Sequence, residues 1–424
     1  MRERSVWLRA CGLTSTVIEG VDFDAAAEAV VVSVRPKSRV RNRCGRCGRR
    51  SPRYDAGRGR RRWRALDLGT TRVFIEAAAP RVQCRAHGVV VAAVPWARPG
   101  AGHSRDFDDM AAWLAVHVSK SAVVELLRVS WKTVGAIVER VGADIDATVD
   151  RLAGLTRIGV DEISYKRSHR YLTVVIDHDT GRLVWAAPGR DAATLATFFD
   201  DLGPDRCAEI THVSADMAGW IAKVVDERAP SAVRCADPFH IVAWATKALD
   251  VERRRAWNQA RGRRRRSDHT GAWTASTGQA RSIKHTRYAL WKNPENLTDN
   301  QRAKLDWIAT TDPRLHRAYL LKEGLRHIFK VKGDAGKEAL DRWISWARRC
   351  RIPAFVELQK RIVFHRAAID AALDSGLSNA LVESTNTKIR LLTRIAYGFH
   401  RPEPLIALAM LALGAHPPTL PGRN

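Results

Sequence analysis

Residues 156–237 read TRIGVDEISYKRSHRYLTVVIDHDTGRLVWAAPGRDAATLATFFDDLGPDRCAEITHVSADMAGWIAKVVDERAPSAVRCAD, and this stretch decides the fold class of the chain. Runs rich in apolar and β-branched residues predict five strands: TRIGVDEISY, RYLTVVIDH, LVWAA, AEITHVSAD and SAVRCAD. The turn residues DTGR at 179–182 make a hairpin of the second and third strands. The segments DAATLATFFDDLG and MAGWIAKVVDER predict helices. The predicted order is therefore three strands, a helix, a strand, a helix and a strand.

This order is typical of a ribonuclease H-like fold, in which the first strand and the end of the fourth lie side by side. Asp161 is in the first predicted strand and Asp216 ends the fourth, so that the fold would bring them together across 55 residues (216 − 161). A lone carboxylate is costly to bury in an apolar strand without a cation or a donor nearby. Two carboxylates so placed are able to share a pair of hard cations, which prefer oxygen ligands.

Cleavage of a phosphodiester needs such a pair of metal ions. One ion activates the water or DNA 3′ hydroxyl that attacks phosphorus, and the other stabilises the oxygen that leaves on the opposite side. A third carboxylate usually completes the site, and the candidate is Glu383 in NALVESTNTKIR. The alternative for Glu383 is an ordinary solvent-facing helix carboxylate, which is the commoner fate of a glutamate. On the same predicted helix, we expect polar contacts to DNA from Asn379, Ser384, Asn386 and Lys388, and inward packing by Leu381, Ile389 and Leu392.

Four candidate metal ligands lie in two pairs near the N-terminus. Cys44 and Cys47 form a C-x-x-C pair, and 37 residues later (84 − 47) Cys84 and His87 form a C-x-x-H pair. This set of ligands predicts one structural, tetrahedral Zn²⁺, and a glycine after each pair allows the backbone to turn tightly around the ion. The alternative is the scattered buried thiols of a cytosolic protein, which is the interpretation for Cys11, Cys207, Cys235 and Cys350.

The segment SKSAVVELLRVSWKTVGAIVERV at residues 119–141 predicts two short helices joined around Val129 and Ser130. Apolar residues at helical spacing, with Ser130 as the N-cap of the second helix, are typical of a helix-turn-helix. Such helix pairs also occur as plain packing units, and this turn lacks a glycine. In the DNA-binding interpretation, the residues that would reach the major groove or the phosphates are Ser130, Trp131, Lys132 and Thr133.

The chain is strongly basic, with 71 Lys and Arg against 45 Asp and Glu and a formal net charge of +26. Arginine is concentrated at residues 35–64, Arg253–Arg255 and Arg263–Arg266, as expected of a protein that binds a phosphate backbone. No apolar run is long enough to span a bilayer, and the first twenty residues lack the apolar core of a secretory signal. We therefore expect a cytoplasmic, nucleoid-associated protein. RNA is compatible with the charge, but no RNA-recognition signature is present.

Several strings taken together resemble one known family. GVDEISY, SADMAGW, DPFHIV and SNALVESTNTKIRLLTRIAYGF, with the paired zinc ligands and the helix pair, are similar to the bacterial insertion-sequence transposases of the ISL3 family. The resemblance runs in order through most of the chain. It implies a DDE active site in which Asp161 and Asp216 are the two aspartates and Glu383 is the glutamate. Two Mg²⁺ or Mn²⁺ ions per active site are implied with it.

The resemblance also implies that a mostly helical insertion at residues 241–375 accounts for the 167 residues from Asp216 to Glu383 (383 − 216). A D-x-x-H element follows the last core strand in several transposase groups, and Asp237 with His240 looks similar. This element is either structural, tying the strand end to the insertion, or a packed histidine at a helix start. Some tryptophans of the insertion would stack on extruded DNA bases or, as is commoner, form its core: Trp244, Trp257, Trp273 and Trp291.

The predicted architecture is multidomain α/β. We expect a basic zinc-binding domain at residues 1–100, a helix-turn-helix domain at 101–152, a ribonuclease H-like catalytic core at 153–240 and 376–415, and a helical insertion domain at 241–375. The predicted function is that of a DNA transposase that binds the terminal inverted repeats of its element and target DNA, as a homo-oligomer on DNA. The alternatives are a catalytically inactive, transposase-derived DNA-binding regulator and a nuclease that cuts without joining.

Overall fold

The computed structural model describes residues 3–166, 170–267 and 280–423 of the 424-residue chain. The chain forms two compact units, the first made of residues 1–151 and 388–424 and the second of residues 152–387. Within the described ranges, no helix is both long enough and apolar enough to cross a membrane.

Two small sheets make up the N-terminal part of the first unit. Its elements are α1 (Glu3–Ala10), β1 (Thr16–Asp24), β2 (Ala29–Pro36), β3 (Arg53–Asp55), β4 (Arg60–Arg64), β5 (Arg72–Ala78), β6 (Arg81–Cys84) and β7 (Gly88–Val91). One sheet has the strand order β1-β2-β5-β4 and the other the order β3-β6-β7. Side chains alternate across each strand, so that Arg60 and Arg62 of β4 are exposed while Trp63 is buried edge-on against Trp96. Arg60 and Arg62 are therefore presented to solvent, whereas Arg64 of the same strand is buried.

Three helices follow: α2 (Arg105–His117), α3 (Lys120–Leu127) and α4 (Trp131–Asp146). Each begins after a serine whose hydroxyl accepts a hydrogen bond from a first-turn N–H: Ser104, Ser119 and Ser130. The buried face of α4 includes Val134, Ile137, Val138 and Val141, as the spacing of its apolar residues predicts. Asp108 is fully buried, where Arg140 holds it through two hydrogen bonds of 2.9 and 3.1 Å.

A five-stranded sheet forms the platform of the second unit. Its elements are β8 (Arg157–Lys166), β9 (Arg170–Asp177), β10 (Leu183–Pro188), α5 (Ala192–Leu202), α6 (Pro204–Glu209), β11 (His212–Ala215), α7 (Gly219–Arg228) and β12 (Val233–Ala236). The strand order is β10-β9-β8-β11-β12, with β8, β9 and β10 antiparallel and β11 parallel to both of its neighbours. The order of elements along the chain matches the predicted one, with the short α6 added. Apolar residues of α5 and α7, such as Phe198 and Val224, pack on one face of this sheet together with Val160 of β8.

After β12 the described chain is almost wholly helical, as predicted for the insertion. The helices are α8 (Pro238–Ser267), α9 (Arg287–Trp291), α10 (Asp299–Thr311), α11 (Pro313–Val331), α12 (Gly333–Arg349), α13 (Pro353–Phe364), α14 (Arg366–Ser375), α15 (Ala380–Ile395) and α16 (Pro402–Leu413). The helices α8 to α14 bury a common core that includes Leu249, Leu321, Trp343 and Phe355. Helix α16 belongs to the first unit, where Leu408 and Leu411 share a core with α4.

Candidate active site and metal centre

The four predicted zinc ligands converge in the first unit. Cys44 and Cys47 lie in the loop before β3, Cys84 ends β6, and His87 lies in the turn to β7. Their ligand atoms all lie within 4.8 Å of one another. The sulfurs of Cys47 and Cys84 are 3.7 Å apart, and His87 Nδ1 lies 3.7 Å from Cys44 Sγ and 3.6 Å from Cys84 Sγ.

These separations fit a tetrahedral zinc ion. With Zn–S distances of about 2.3 Å and a Zn–N distance of about 2.0 Å, a regular tetrahedron separates its ligand atoms by roughly 3.5–3.8 Å. Gly48 and Gly88 adopt the left-handed backbone conformation that the predicted tight turns need. The hydrogen bond with His87 lowers the pKa of Cys84 to about 6, which favours the thiolate form that binds metal.

Asp161 and Asp216 come from neighbouring strands of the second unit. Asp161 is in the middle of β8, and Asp216 directly follows β11. The two strands are parallel, with Ser214 paired to Gly159, so that each aspartate is two residues beyond a paired position. The strand order therefore brings the two carboxylates to one edge of the sheet, as predicted from the sequence.

The electrostatics of these carboxylates reflect their closeness. Burial raises the pKa of Asp161, and the negative charges of Asp237 and Asp216 raise it further. Asp161 accepts a hydrogen bond from the N–H of Glu162 at 2.8 Å, and Asp216 accepts one from the N–H of Met217 at 2.6 Å. Buried negative charge held in this way is stabilised by a bound cation.

Helix α15, which carries Glu383, packs against the same strand. The Asn386 side chain donates a hydrogen bond to Asp161 Oδ2 at 2.8 Å. Val382 packs over Gly159, where an added Cβ would lie only 2.6 Å from Val382 Cγ2. The glycine of the GVDE string therefore permits the close approach of helix and strand, which a larger residue would prevent.

A buried chain of hydrogen bonds fixes the start of α15. Ser214 of β11 donates to the side-chain oxygen of Asn379, and the Asn379 amide donates to the Val160 carbonyl of β8 at 3.4 Å. The backbone N–H of Asn379 donates to Asp237 Oδ1 at 3.4 Å. His178 Nε2 lies 2.6 Å from the Ser214 hydroxyl and extends the chain to the end of β9. The helix start is thus tied to β8, to β11 and to the residue that follows β12.

Glu383 is in the first turn of α15 and its side chain is partly exposed. It precedes Asn386 by three residues, and residues three apart are neighbours on a helix surface. Glu383 therefore lies one helical turn before Asn386, the residue of the same helix that contacts Asp161. The three predicted carboxylates therefore lie on three elements that meet at one place.

The buried face of α15 differs from the predicted one. The prediction that Asn379 and Asn386 contact DNA is wrong, because they are only 1% and 2% exposed. Leu381, which was expected to pack inward, is 43% exposed. The inward face runs through Asn379, Val382, Asn386 and Ile389 at helical spacing. The strands beneath this helix offer a carboxylate and a carbonyl, which need hydrogen-bond donors rather than aliphatic groups.

The D-x-x-H element has a larger role than either of its predicted alternatives. His240 Nδ1 lies 3.1 Å from Asp216 Oδ1 and 3.6 Å from Asp237 Oδ2, so that the imidazole forms an ion pair with both carboxylates when it is protonated. The contact with Asp216 raises the pKa of His240 to about 9 and lowers that of Asp216. Asp237 is buried and accepts the N–H of Phe239 as well as that of Asn379. The element therefore ties β12 to the start of α15 and also contacts one of the predicted catalytic aspartates.

Sequence patterns did not single out Glu162, which also lies at this site. Its side chain is nearly buried, 3.6 Å from the guanidinium of Arg190. Burial raises the pKa of Glu162, Arg190 lowers it, and the charges of Asp161 and Asp216 raise it. Glu162 is visible in the sequence as the last residue of GVDE. It was not chosen as a site residue, because side chains alternate along a strand and Glu162 would therefore point away from Asp161.

The predicted helix-turn-helix is formed by α3 and α4. The Ser130 hydroxyl accepts the N–H of Thr133 at 3.1 Å and caps α4. No glycine is needed in the turn, because Arg128 adopts the left-handed conformation with φ of 54°. Ser130, Trp131 and Lys132 are exposed, and Thr133 is half-buried. Their contacts with DNA remain a prediction.

The tryptophans of the insertion favour the core alternative. Trp244, Trp257 and Trp291 are partly buried and pack against the helical core. Trp273 lies outside the described residues. An arginine guanidinium lies over each of the three rings, at 3.5, 4.9 and 3.9 Å from the ring centres, and these arginines are Arg361, Arg261 and Arg287.

Comparisons with known proteins match these regions in the same order. Three family models match, described as a zinc-finger of transposase IS204/IS1001/IS1096/IS1165 at residues 41–87, a helix-turn-helix domain of transposase family ISL3 at 92–142, and a transposase at 158–409. The transposase for insertion sequence element IS1557 of Mycobacterium tuberculosis (strain ATCC 25618 / H37Rv) is 65% identical over 421 residues, covering 96% of this chain and 95% of that protein. The transposase for insertion sequence element IS1001 of Bordetella parapertussis is 27% identical over 286 residues, 66% of each chain.

Proposed function

This chain belongs to the ISL3 family of insertion-sequence transposases, and we propose that Asp161, Asp216 and Glu383 are the carboxylates with which it cleaves and rejoins DNA. The family resemblance seen in the sequence is thereby confirmed, and the protein is a DDE transposase that acts in DNA transposition. The hydrogen bond from Asn386 to Asp161 carries the proposal for the site, because it joins the helix of Glu383 to the strand of Asp161.

We assign residues 153–240 and 376–415 to a ribonuclease H-like core, whose last helix, α16, lies in the first unit and packs on α4. The support is the sheet order β10-β9-β8-β11-β12, in which a three-stranded antiparallel meander continues into two parallel strands. The domains at 1–100, 101–152 and 241–375 complete our division of the chain into zinc-binding, helix-turn-helix and insertion parts.

The residues at this site suit divalent Mg²⁺ or Mn²⁺. They offer hard carboxylate oxygens, and burial raises the pKa of both Asp161 and Asp237, as expected where negative charge lacks a sufficient counter-ion. When bound, two such ions would activate the attacking hydroxyl and stabilise the leaving oxygen. The four-ligand cluster of the first unit would hold the structural Zn²⁺.

The protein's own contribution is to hold its carboxylates in place. Two donors, the Glu162 N–H and the Asn386 amide, fix the orientation of Asp161. The Met217 N–H and the ion pair with His240 restrain Asp216. Groups positioned before the reaction need little reorganisation when charge develops at the transition state.

The first unit is proposed to recognise DNA. The zinc-binding and helix-turn-helix domains would bind the terminal inverted repeats, with Ser130, Trp131, Lys132 and Thr133 at base edges or phosphates. The net charge of +26 suits contact with the backbones of element and target DNA. Because two element ends and a target must be brought together, we propose that the protein assembles on DNA as a homo-oligomer. We propose that it does so in the cytoplasm, associated with the nucleoid.

The triad is tested with purified protein, Mg²⁺ and labelled DNA that carries the element's own ends. The wild type is expected to bind, nick and join, whereas Asp161→Asn, Asp216→Asn and Glu383→Gln each lose cleavage and keep specific binding. Glu338→Gln, at an exposed helix position in the insertion, is the matched control and should cleave normally. Cleavage by any of the triad variants contradicts the assignment. A wild type that binds these ends and never cleaves them would instead be a catalytically inactive regulator.

A further inference from the structure

A cavity of about 300 Å³ opens beside Asp216 in the second unit. The end of β11 and the start of α7 form one wall, and the other is formed where α13 ends and α14 begins, by Phe364, His365, Ala367 and Ala368. Apart from Asp216, Arg234 and His365, the side chains that line it are apolar or, at Cys235, a thiol. Asp216 thus belongs both to this cavity and to the proposed active site.

An exposed aromatic ring stands at the edge of the cavity. Phe364, the last residue of α13, is 83% exposed. Its ring is perpendicular to that of His365 at 4.8 Å, and His365 in turn lies 5.7 Å from Trp244. Such a ring offers a flat apolar surface on which another planar group is able to stack.

Basic side chains lie in the wall of the same cavity and beside it, although Arg234 is also paired with Asp226 at 3.0 Å. Arg234 lines it, and the Arg361 guanidinium lies over the face of Trp244, which contacts the His365 of the cavity wall. The His240 imidazole lies 3.1 Å from the Asp216 carboxylate that lines the cavity. An apolar pocket with an aromatic edge and flanking cations suits a planar group attached to a polyanion.

We propose that this cavity receives one nucleobase of the DNA strand that is cut, extruded from the duplex beside the scissile phosphate and stacked on Phe364. The proposal rests on the proposed function, since it places the scissile phosphate at Asp216. The volume supports a single base, because ligand pockets span about 300–1,000 Å³ and this one is at the small end. Extrusion of a base frees its neighbouring phosphate from the regular duplex and gives the carboxylates access to it.

The test uses element-end DNA in which the fluorescent base 2-aminopurine replaces the first nucleotide on either side of the cleavage point, one position per substrate. Ca²⁺ replaces Mg²⁺ during the fluorescence measurement to hold the DNA uncut. With the wild type, fluorescence is expected to rise at one of the two positions as that base leaves its stack. Phe364→Ala is expected to lose the rise and to cleave about 10- to 100-fold more slowly in Mg²⁺ at unchanged DNA affinity. Tyr288→Ala, at a 64% exposed aromatic that does not line the cavity, is the matched control and should behave as wild type.

Two further measurements separate this pocket from the triad. On DNA that lacks the base at that position, wild type and Phe364→Ala should cleave at equal rates, since no base remains to be stacked. Asp161→Asn should keep the fluorescence rise and lose cleavage, and if it cleaves, the triad fails while the pocket stands. A wild type that binds without a rise at either position overturns the pocket, as does an unchanged cleavage rate in Phe364→Ala. The pocket would also be overturned if Phe364→Ala changed the oligomeric state and left the 2-aminopurine fluorescence rise unchanged. That result would identify the face around Phe364 as a contact between copies of the chain.

Discussion

Replacing Asn386 by leucine tests whether the orientation of Asp161 matters for DNA cleavage. The change removes the 2.8 Å hydrogen bond to Asp161 while keeping the branching of the side chain and its number of heavy atoms. A hydrogen bond to a charged group contributes about 1.5–3 kcal/mol. If the transition state loses that contribution, Asn386→Leu should cleave roughly 10- to 150-fold more slowly than wild type.

The same substitution should change the stability of the protein much less. Asn386 is buried, and its side-chain oxygen has no hydrogen-bond partner among the described residues. Leucine removes that unsatisfied oxygen, which offsets part of the lost hydrogen bond, so we expect the free energy of unfolding to change by about 1 kcal/mol or less. A large loss of rate with a small loss of stability would identify Asn386 as a positioning residue.

The assay is single-turnover cleavage of labelled element ends across a Mg²⁺ titration, with urea unfolding of the same preparations. We expect the half-saturating Mg²⁺ concentration to rise in Asn386→Leu, because a freely rotating Asp161 must be ordered when the ion binds. Thr387→Val, at the adjacent exposed position, is the control and should match wild type in both measurements. The reasoning is refuted if Asn386→Leu cleaves at the wild-type rate at every Mg²⁺ concentration.

Three other predictions concern the metal centre, the helix contact and the ion pair at the active site. Elemental analysis is expected to find one zinc per chain in the wild type and none in Cys84→Ser, and zinc retained at full occupancy in the variant would contradict the site. Gly159→Ala should lower the free energy of unfolding by about 1–3 kcal/mol, because its Cβ would clash with both Val382 and the His178 ring, and an unchanged urea midpoint would exclude these contacts. The ion pair of His240 with Asp216 raises the histidine pKa to about 9, so its stabilisation is complete below the unfolded pKa of about 6.5 and is lost as pH rises through 9. In metal-free protein the urea midpoint should therefore fall over this range more steeply in wild type than in His240→Gln, and parallel profiles would argue against the ion pair.

The sequence allowed the pairing of Asp161 with Asp216 to be predicted because it depends on strand order alone. Apolar runs mark the strands, and the order of strands and helices limits how such a sheet is arranged. The turn between α3 and α4 was predictable only in part. The serine N-cap was predictable, whereas Arg128 in a left-handed conformation takes the place expected of glycine.

The orientation of α15 was not predictable, because apolar residues are the usual guide to a buried face. Here Asn379 and Asn386 are buried, and Leu381 is exposed. Only the hydrogen-bond partners of these side-chain amides explain why this face is buried. Those partners are distant in sequence, since Ser214 lies 165 residues before Asn379 and Asp161 lies 225 residues before Asn386. The contact between His240 and Asp216 was missed for the same reason, since spacing shows that a histidine starts α8 without showing what lies beside it.

Residues 380–413 complete two parts of the protein: Asn386 of α15 contacts Asp161, and α16 shares a core with α4. The ribosome makes this segment after every strand and helix on which it packs. A growing chain, or one ended by a nonsense codon before residue 380, therefore lacks both the helix that completes the proposed active site and the part of the core that α16 adds to α4, the helix proposed to contact DNA. We expect such alleles to be recessive, because their products would neither cut the host chromosome nor compete for element ends. Co-expression of residues 1–375 with the intact chain should leave the transposition frequency unchanged, and a dominant decrease would show that the fragment still reads DNA.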